Sequence, residues 1–493
     1  MELKPPAPTG QKTGGRKRAG RNAKGKRATS GASGGASAGA RAKPYSAPGL
    51  ATRRAAASIL SRIIEHRIPL DPLVDERSGA TQFRALPDID RNLVRAILGT
   101  ALRRRGEIDA AIEHCLDRPL AEGSSALSAL LHVGAAQILY LNVPDHAAVS
   151  LAVSAAMADK KTRQARALVN SVLRRIARER DTILKIDNPG RCNTPDWLFQ
   201  RWSAFYGQET AGKIATAHLA IPPLDMTPRG SDPANVAALA TELGGTVLPT
   251  GSIRLQSPGR VTALPGFEAG SWWVQDAAAA MPARLLSQMA GKSVADLCAA
   301  PGGKTAQLAA AGACVTAVDI SKNRLARLVR NLARLGLDAQ TVTADLLTWT
   351  PDVPFDAILL DPPCSATGTI RRHPDIAWLK TPGDIATLAD LQGCLLDRAV
   401  TWLRPGGQLL YCTCSLEKAE GEDQIASLLA RHDELERDPI APHEVTGLVH
   451  CLTLEGELRT LPCTTFQASS AAGSISAMAG MDGFFIARLR KSA

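Results

Sequence analysis

The chain has 493 residues, 45% hydrophobic and 21% charged, with a formal net charge of +11. At roughly 150 residues per domain this length implies about three domains, and the apolar content excludes global disorder. No apolar run reaches the roughly 18 residues that cross a bilayer, no apolar segment follows the basic amino terminus, and ten cysteines without a CxxC pair exclude a disulfide scaffold, so a reduced, cytoplasmic protein without a membrane span or secretory signal is expected.

Residues 1–48 read as a disordered basic tail. Residues 1–50 hold eleven Lys or Arg and one acid, which leaves 47 basic against 46 acidic groups in all the rest. A segment rich in Gly, Ala, Ser and Pro cannot offset the entropy of ordering itself. Two readings stand open: a tail that condenses on phosphate backbones without sequence preference, or a solubilising or wrongly extended start.

Residues 49–185 read as an all-α domain of five to seven helices. Ala55, Ile59 and Ile63, with Leu60 and Ile64, form an i, i+4 stripe. Asp88 and Asp90 precede a second run, Leu93, Ile97, Leu98, Ala101 and Leu102, whose polar face carries Arg95, Arg103, Arg104 and Arg105. Further helices are expected over Ala126–Leu141, His146–Met157 and Arg163–Arg178. The arginines of the last one, with Arg180, read as a solvated face.

Residues 186–269 read as a small α+β connector. It has an aromatic-anchored helix near Trp197, Trp202 and Tyr206, a helix near Asn235–Leu243, and extended stretches at Pro223–Thr227 and Ser252–Leu255. Over 270–493 the chain alternates strand and helix. Strands are expected at Ser293–Leu297, Ala313–Asp319, Gln340–Thr343, Phe355–Asp361, Gly407–Thr413 and Gly483–Leu489, and helices most clearly at Lys322–Leu335 and Ile385–Leu403. This alternation implies a mostly parallel, Rossmann-like α/β sheet covered on both faces.

Three segments carry chemistry. The first is Asp296-Leu297-Cys298-Ala299-Ala300-Pro301-Gly302-Gly303-Lys304, after the first strand, where small residues let the backbone approach a ligand closely. Asp319 ends the next strand, 21 residues beyond Cys298, near the offset at which a carboxylate reaches ribose hydroxyls; Asp345 follows the third strand. The phosphate-loop motif is absent, and Pro301 blocks the dinucleotide glycine pattern. A nucleoside without a pyrophosphate fits better, with ribose on Asp319 and adenine near Asp345. The second segment, Asp361-Pro362-Pro363-Cys364-Ser365, and the third, Tyr411-Cys412-Thr413-Cys414-Ser415, end the fourth and fifth strands, where ligands of open α/β sheets bind. Cys364 and Cys414 are therefore expected at the ligand, whereas Cys412 and Cys394 read as buried packing residues. His373 and His432 form no zinc pattern with these thiols, and no metal is expected.

DLCAAPGGK, DPPCSATGTIRRHPDIAWL, YCTCSLEKAEGE and DGFFIARL together resemble the Sun/RsmB family of bacterial ribosomal RNA cytosine-5 methyltransferases, over almost all of 270–490. The helical region resembles the NusB-like RNA-binding domain that the family carries in front of its catalytic part. The resemblance implies S-adenosyl-L-methionine held by Cys298, Ala299, Ala300, Pro301, Gly302, Gly303 and Lys304, with Asp319 on the ribose, Asp345 beside the adenine and Asp361 also at the cofactor. It implies Cys414 as nucleophile, Cys364 assisting product release, and Asp361 hydrogen-bonding the cytosine, with Lys304 and Pro362 at the substrate. Arg371 and Arg372 are expected either to hold the RNA backbone or to pack their loop. The long basic tail and Cys412 depart from the family pattern.

That chemistry needs these groups. Carbon 5 of cytosine becomes nucleophilic once a thiolate has added at carbon 6. Hydrogen bonding at the ring from Asp361 stabilises the developing charge, and a second sulfur can remove the carbon 5 proton. The base must be single-stranded or flipped out. DNA cytosine methyltransferases put the nucleophile in a Pro-Cys pair, which would favour Cys364; Ser365 follows here instead of Gln, and Cys414 is favoured. An adenine amino-methyltransferase, which would carry an aromatic where Cys364 stands, a non-catalytic RNA-binding assembly factor and a methyltransferase acting on transfer RNA are the competing readings. The expected protein is a monomer acting on small-subunit ribosomal RNA, not at a membrane.

Overall fold

A computed structural model describes residues 47–256, 259–286, 288–467 and 480–493. The expected basic tail lies, up to residue 46, outside the described residues.

In the amino-terminal region six helices of eleven residues or more are described: Leu50–His66, Asp88–Arg103, Arg105–Cys115, Ser125–Tyr140, Asp145–Ala158 and Arg166–Arg178. Single turns lie at Leu70–Leu73, Thr81–Arg84 and Arg180–Ile183. The expected stripe Ala55, Ile59, Ile63 is fully buried and shares one core with Val94, Ile97, Leu98 and Leu102. Each such Ile or Leu contributes about 1.5–3 kcal/mol of burial. Ser125–Tyr140 is buried on every side from Ala129 to Leu139 and forms the centre of this bundle. The arginines of the last long helix lie on its outer face: Arg175 and Arg178 pair with Glu179, and Arg180 pairs with Asp145.

After the single turn Pro189–Cys192 the connector continues with helices Asp196–Tyr206 and Gln208–Ala217, whose Leu198, Trp202, Ala211 and Ile214 pack on Ile370, Ala377 and Leu416 of the carboxy-terminal α/β region. Strands β1 (Leu224–Pro228), β2 (Thr246–Val247), β3 (Ile253–Leu255) and β4 (Trp272–Val274) then form an antiparallel sheet in the order β2-β3-β1-β4. β4 lies beyond the boundary read at residue 269. Gly270 is the last glycine before Trp272 and Trp273 and reads as the break between regions, whereas pairing with β1 claims the two tryptophans for this one.

The carboxy-terminal α/β region holds β5 (Ser293–Leu297), β6 (Cys314–Asp319), β7 (Gln340–Thr343), β8 (Phe355–Leu360), β9 (Leu403–Thr413), β10 (Leu435–Arg437), β11 (Leu458–Thr460) and β12 (Phe484–Lys491). Their order is β10-β12-β9-β8-β5-β6-β7, with β11 also on β12. β5 to β9 are parallel neighbours, and β12 enters antiparallel between β9 and β10. Parallel strands covered on both faces read as continuous apolar runs, as Ala357–Leu360 and Leu409–Tyr411 do. The crossover helix Lys322–Leu335 buries Leu325, Leu328, Leu332 and Leu335 against the sheet, and the Ser321 hydroxyl accepts from Arg324 N to cap it. The helix expected at Ile385–Leu403 runs Pro382–Thr401, because Thr381 and Asp384 form a reciprocal capping box. Cys394 sits on the outer side of that helix and is exposed, not packed, a correction that follows from its helical phase. No described helix is long and apolar enough to cross a membrane.

Candidate active site

The carboxyl ends of β5, β8 and β9 open onto a cleft of about 730 Å³. After β5 the chain turns through Cys298, which adopts a left-handed backbone with φ 61°, and Gly302, with φ 101°. A Cβ on Gly302 would lie 2.6 Å from the Leu328 side chain, so only glycine lets the loop fold against the crossover helix here. Ala299 N donates to Val318 O at 3.0 Å and Ala300 N to Asp319 Oδ2 at 3.2 Å, which fastens the loop to the end of β6. Helix Gly303–Ala310 then starts at the cleft with its amino end toward it. All seven residues Cys298–Lys304 line the cleft.

Asp296, on β5 beneath the loop, also lines the cleft yet is only 1% exposed. Its Oδ2 accepts from Thr305 Oγ1 at 2.5 Å, and its Oδ1 has no partner among the described residues. Burial pushes its pKa up to about 7 against the opposing pull of Thr305 and Lys304. An unpartnered carboxylate oxygen on a cleft wall suits a cationic ligand group. Its role comes from burial beneath the loop, which the sequence does not show.

The two thiols meet. β8 and β9 run parallel in register, Leu360 opposite Tyr411, so the segments after them leave the sheet side by side. Cys364 Sγ and Cys414 Sγ lie 3.4 Å apart, and both line the cleft. The hydrogen bond with Cys414, then burial, raise the Cys364 pKa well above the ordinary thiol value. Cys412, one pleat away, is fully buried and raised by burial, a packing residue. Burial likewise raises Cys298, keeping it a neutral thiol.

Lys304 Nζ donates to Asp361 Oδ2 at 2.7 Å and sits 5.2 Å from the Phe484 ring centre. Burial disfavours its ammonium, but the Asp361 carboxylate outweighs this and raises its pKa above the usual lysine value. Asp361, Pro362 and Pro363 line the cleft beside it.

Three expected residues stand elsewhere. Asp319 is 2% exposed and not on the cleft wall; Ser321 N, Ala300 N and the Arg324 guanidinium already engage its carboxylate. Asp345, exposed at the end of β7, accepts from Leu347 N at 3.0 Å and closes its own turn. Arg371 is 3% exposed, held by Asp482 Oδ1 at 2.9 Å and by Asp276. Of the two roles open to it, its contacts are those of loop packing, since a phosphate would have to displace two buried carboxylates. Arg372 differs: it binds Asp482 Oδ2 through Nε at 2.7 Å, but stays exposed and lines the cleft.

The helical region also reaches the site. Asp71 lines the cleft and lies 3.2 Å from His373 Nδ1. Leu70 N donates to Asp375 Oδ2 at 2.9 Å, and Trp378 Nε1 to Leu102 O at 2.9 Å. Nothing local marks Asp71 in the sequence, because its position comes from packing between regions. Glu420, behind both thiols, sits inside the YCTCSLEKAEGE segment, but only the fold shows where it points.

Known proteins share this layout. Residues 283–490 match the family described as 16S rRNA methyltransferase RsmB/F, and residues 50–178 match the NusB family. Ribosomal RNA small subunit methyltransferase B of Cronobacter sakazakii is 35% identical over 409 residues, covering 80% of this chain and 94% of the relative. The protein of that name from Xanthomonas campestris pv. campestris is 37% identical over 412 residues, covering 80% and 91%. Among solved structures, PH0851 superimposes with a TM-score of 0.66 at 23% identity over 91% of this chain and 100% of its own. NSun6 from Pyrococcus horikoshii reaches 0.51 at 20% identity over 61% and 98%. At such identities the structures establish the fold.

Proposed function

The chain belongs to the family of 16S rRNA methyltransferases designated RsmB/F, and from that premise we propose that Cys414 is the attacking sulfur and Cys364 the base of its methyl transfer to cytosine carbon 5. The protein is an S-adenosyl-L-methionine-dependent enzyme that forms 5-methylcytosine in small-subunit ribosomal RNA. The observation that carries the residue assignment is the 3.4 Å contact of two sulfurs on the wall that also bears Asp361 and the glycine loop.

The residues fit the donor. Asp296 Oδ1, buried and unpartnered, offers an acceptor for an ammonium group, and the loop Cys298–Gly303 presents little side-chain bulk to the cleft. Asp319 and Asp345 would meet the ribose and the adenine by turning their carboxylates from the backbone donors they serve in the described structure toward the neighbouring cleft. When bound, the donor supplies an electrophilic methyl group.

Cys414 adds as thiolate to carbon 6 of a flipped or unpaired cytosine; the S–C6 bond forms and the C5–C6 double bond opens toward the ring. Asp361, its Oδ2 held by the Lys304 ammonium, hydrogen-bonds the ring nitrogen N3 and passes it a proton from that pair, which takes up the negative charge the added sulfur brings; the proton returns when the sulfur leaves. Carbon 5 takes the methyl group. Cys364, its own proton lost to the open cleft, removes the carbon 5 proton directly or through water; the double bond re-forms and the Cys414 sulfur leaves. A raised pKa makes the Cys364 thiolate a strong base. An adenine amino-methyltransferase has no use for two thiols in contact.

Labelled donor, supplied with bare 16S RNA or with assembled small subunits and followed by bisulfite sequencing, tests the reaction. Label at one or more cytosines as 5-methylcytosine is expected; label on adenine amino groups, or none on either substrate, overturns the reading. The reading includes a chain that acts alone in the cytoplasm, which sedimentation and cell fractionation check.

A further inference from the structure

Behind the two thiols lies a carboxylate that the mechanism has not used. Glu420, in the turn Lys418–Glu420, is fully buried, and among the described residues its carboxylate is met by Ser365, Ser415 and Gln392 and by no Lys, Arg or His. Its Oε1 accepts from Ser365 N at 2.8 Å and Gln392 Nε2 at 3.0 Å. Its Oε2 accepts from the hydroxyl of Ser415 at 2.5 Å and from that of Ser365. Ser365 follows Cys364 and Ser415 follows Cys414, so one carboxylate grips both thiol-bearing turns.

The two hydroxyls lie 3.1 Å apart, yet each has a single proton and each donates it to Oε2. Their approach is therefore imposed by the shared acceptor rather than by a bond between them. Other contacts hold the acceptor in place: the Glu420 carbonyl accepts from Tyr411 OH at 2.8 Å, on β9, and Gln392 also donates to Pro363 O at 2.9 Å, beside Cys364. A buried carboxylate without a counter-cation is tolerated only when it is fully hydrogen-bonded, and such networks impose a single geometry on what they bridge.

We propose that Glu420 is a positioning residue for the methyl transfer: by drawing Ser365 and Ser415 onto one carboxylate oxygen it holds the Cys364 and Cys414 sulfurs in contact and sets its own charge behind Cys364. The inference rests on the reading that these two sulfurs are base and nucleophile. After the Cys414 hydrogen bond, burial and the Cys414 charge, Glu420 is the next influence that keeps the Cys364 proton on. Removing the charge while keeping the shape moves that proton's loss to lower pH.

The test compares full-length Glu420→Gln with wild type on 16S RNA and S-adenosyl-L-methionine. Expected are KM values for both substrates within about threefold, kcat lower by about 10- to 100-fold as for a group displaced by a fraction of an ångström to one ångström, and a kcat–pH profile whose acid limb moves to lower pH. Unchanged kcat with an unchanged profile overturns the inference. Should Glu420→Gln not fold by circular dichroism, Ser365→Ala, Ser415→Ala and their double variant decide: the double is expected to lose less than the product of the two single losses, because both act through one oxygen, and independent losses overturn the inference. Cys414→Ala run in parallel separates the two failures. An adduct with 5-fluorocytosine RNA that persists in Cys414→Ala removes the reading and this inference with it; an adduct lost there, with wild-type behaviour in Glu420→Gln, removes the inference alone.

Discussion

Arg103, at the end of a helix in the amino-terminal bundle, donates through its guanidinium to the backbone carbonyl of Arg371 at 2.6 Å and to that of His218 at 3.2 Å. One side chain therefore ties the bundle, the connector and the loop after Cys364 together. Burial, and the nearby Arg104 charge, lower its pKa to about 10, so it remains a cation at neutral pH.

Arg103→Met should leave two buried carbonyls short of a donor and cost about 1–3 kcal/mol in each unsatisfied group. Thermal unfolding is expected to show a lower midpoint, and kcat to fall because Arg372 and His373 share the loosened loop. A variant with wild-type midpoint and wild-type kcat would mean that the bundle does not support the site through this contact.

Arg371 and Arg372, adjacent in sequence, should behave differently. Arg371→Met uncovers Asp276 and Asp482 in the interior, and breaking a buried pair in this way costs about 3–5 kcal/mol. Arg372→Ala should fold nearly as wild type, lower RNA affinity and flatten its salt dependence. Denaturant unfolding beside RNA binding at several salt concentrations separates them; if Arg371→Met retains stability and loses only RNA affinity, the packing role is wrong.

Asp296 gives a pH prediction. Its folded pKa, about 7, lies above the ordinary carboxyl value, so the folded state holds a proton that the unfolded chain has released. The associated stability is present in full below about pH 4 and is lost as pH rises through 7. Relative to wild type, donor-free Asp296→Asn should therefore gain stability between pH 5 and pH 8, by an amount on the order of 2–4 kcal/mol. Denaturant midpoints at the two pH values check this, and a difference that does not change with pH contradicts it.

Much of this architecture is local, and for that reason legible. Parallel strands announce themselves as short apolar runs, so Ser293–Leu297, the run Phe355–Leu360 and the run ending at Thr413 match the described strands closely. The helical stripe of Ala55, Ile59 and Ile63 is legible because its period needs no knowledge of a partner. What depends on distant pairing was not legible: β4 belongs to the connector only because β1 lies beside it, and Arg103 reads as a surface residue until the loop carrying Arg371 covers it. At the site, the glycine loop and the two strand-end thiols are legible from motif and topology. Asp71 and Glu420 are not, since the first arrives from another region and the second points inward from a turn. Asp319 and Asp345 occupy the strand ends that the sequence assigned, but their carboxylates serve backbone donors in the described structure.

In the proposed mechanism the sulfur of residue 414 forms the bond to the pyrimidine and that of residue 364 helps to break it. The direct measurement incubates 5-fluorocytosine-substituted 16S RNA and S-adenosyl-L-methionine with wild type, Cys414→Ala and Cys364→Ala, then resolves the products on a denaturing gel and maps the modified peptide by mass spectrometry. A covalent adduct is expected at Cys414 in wild type, none in Cys414→Ala, and, with unsubstituted RNA, an adduct that accumulates in Cys364→Ala. An adduct on Cys364 in the Cys414→Ala protein would contradict that mechanism.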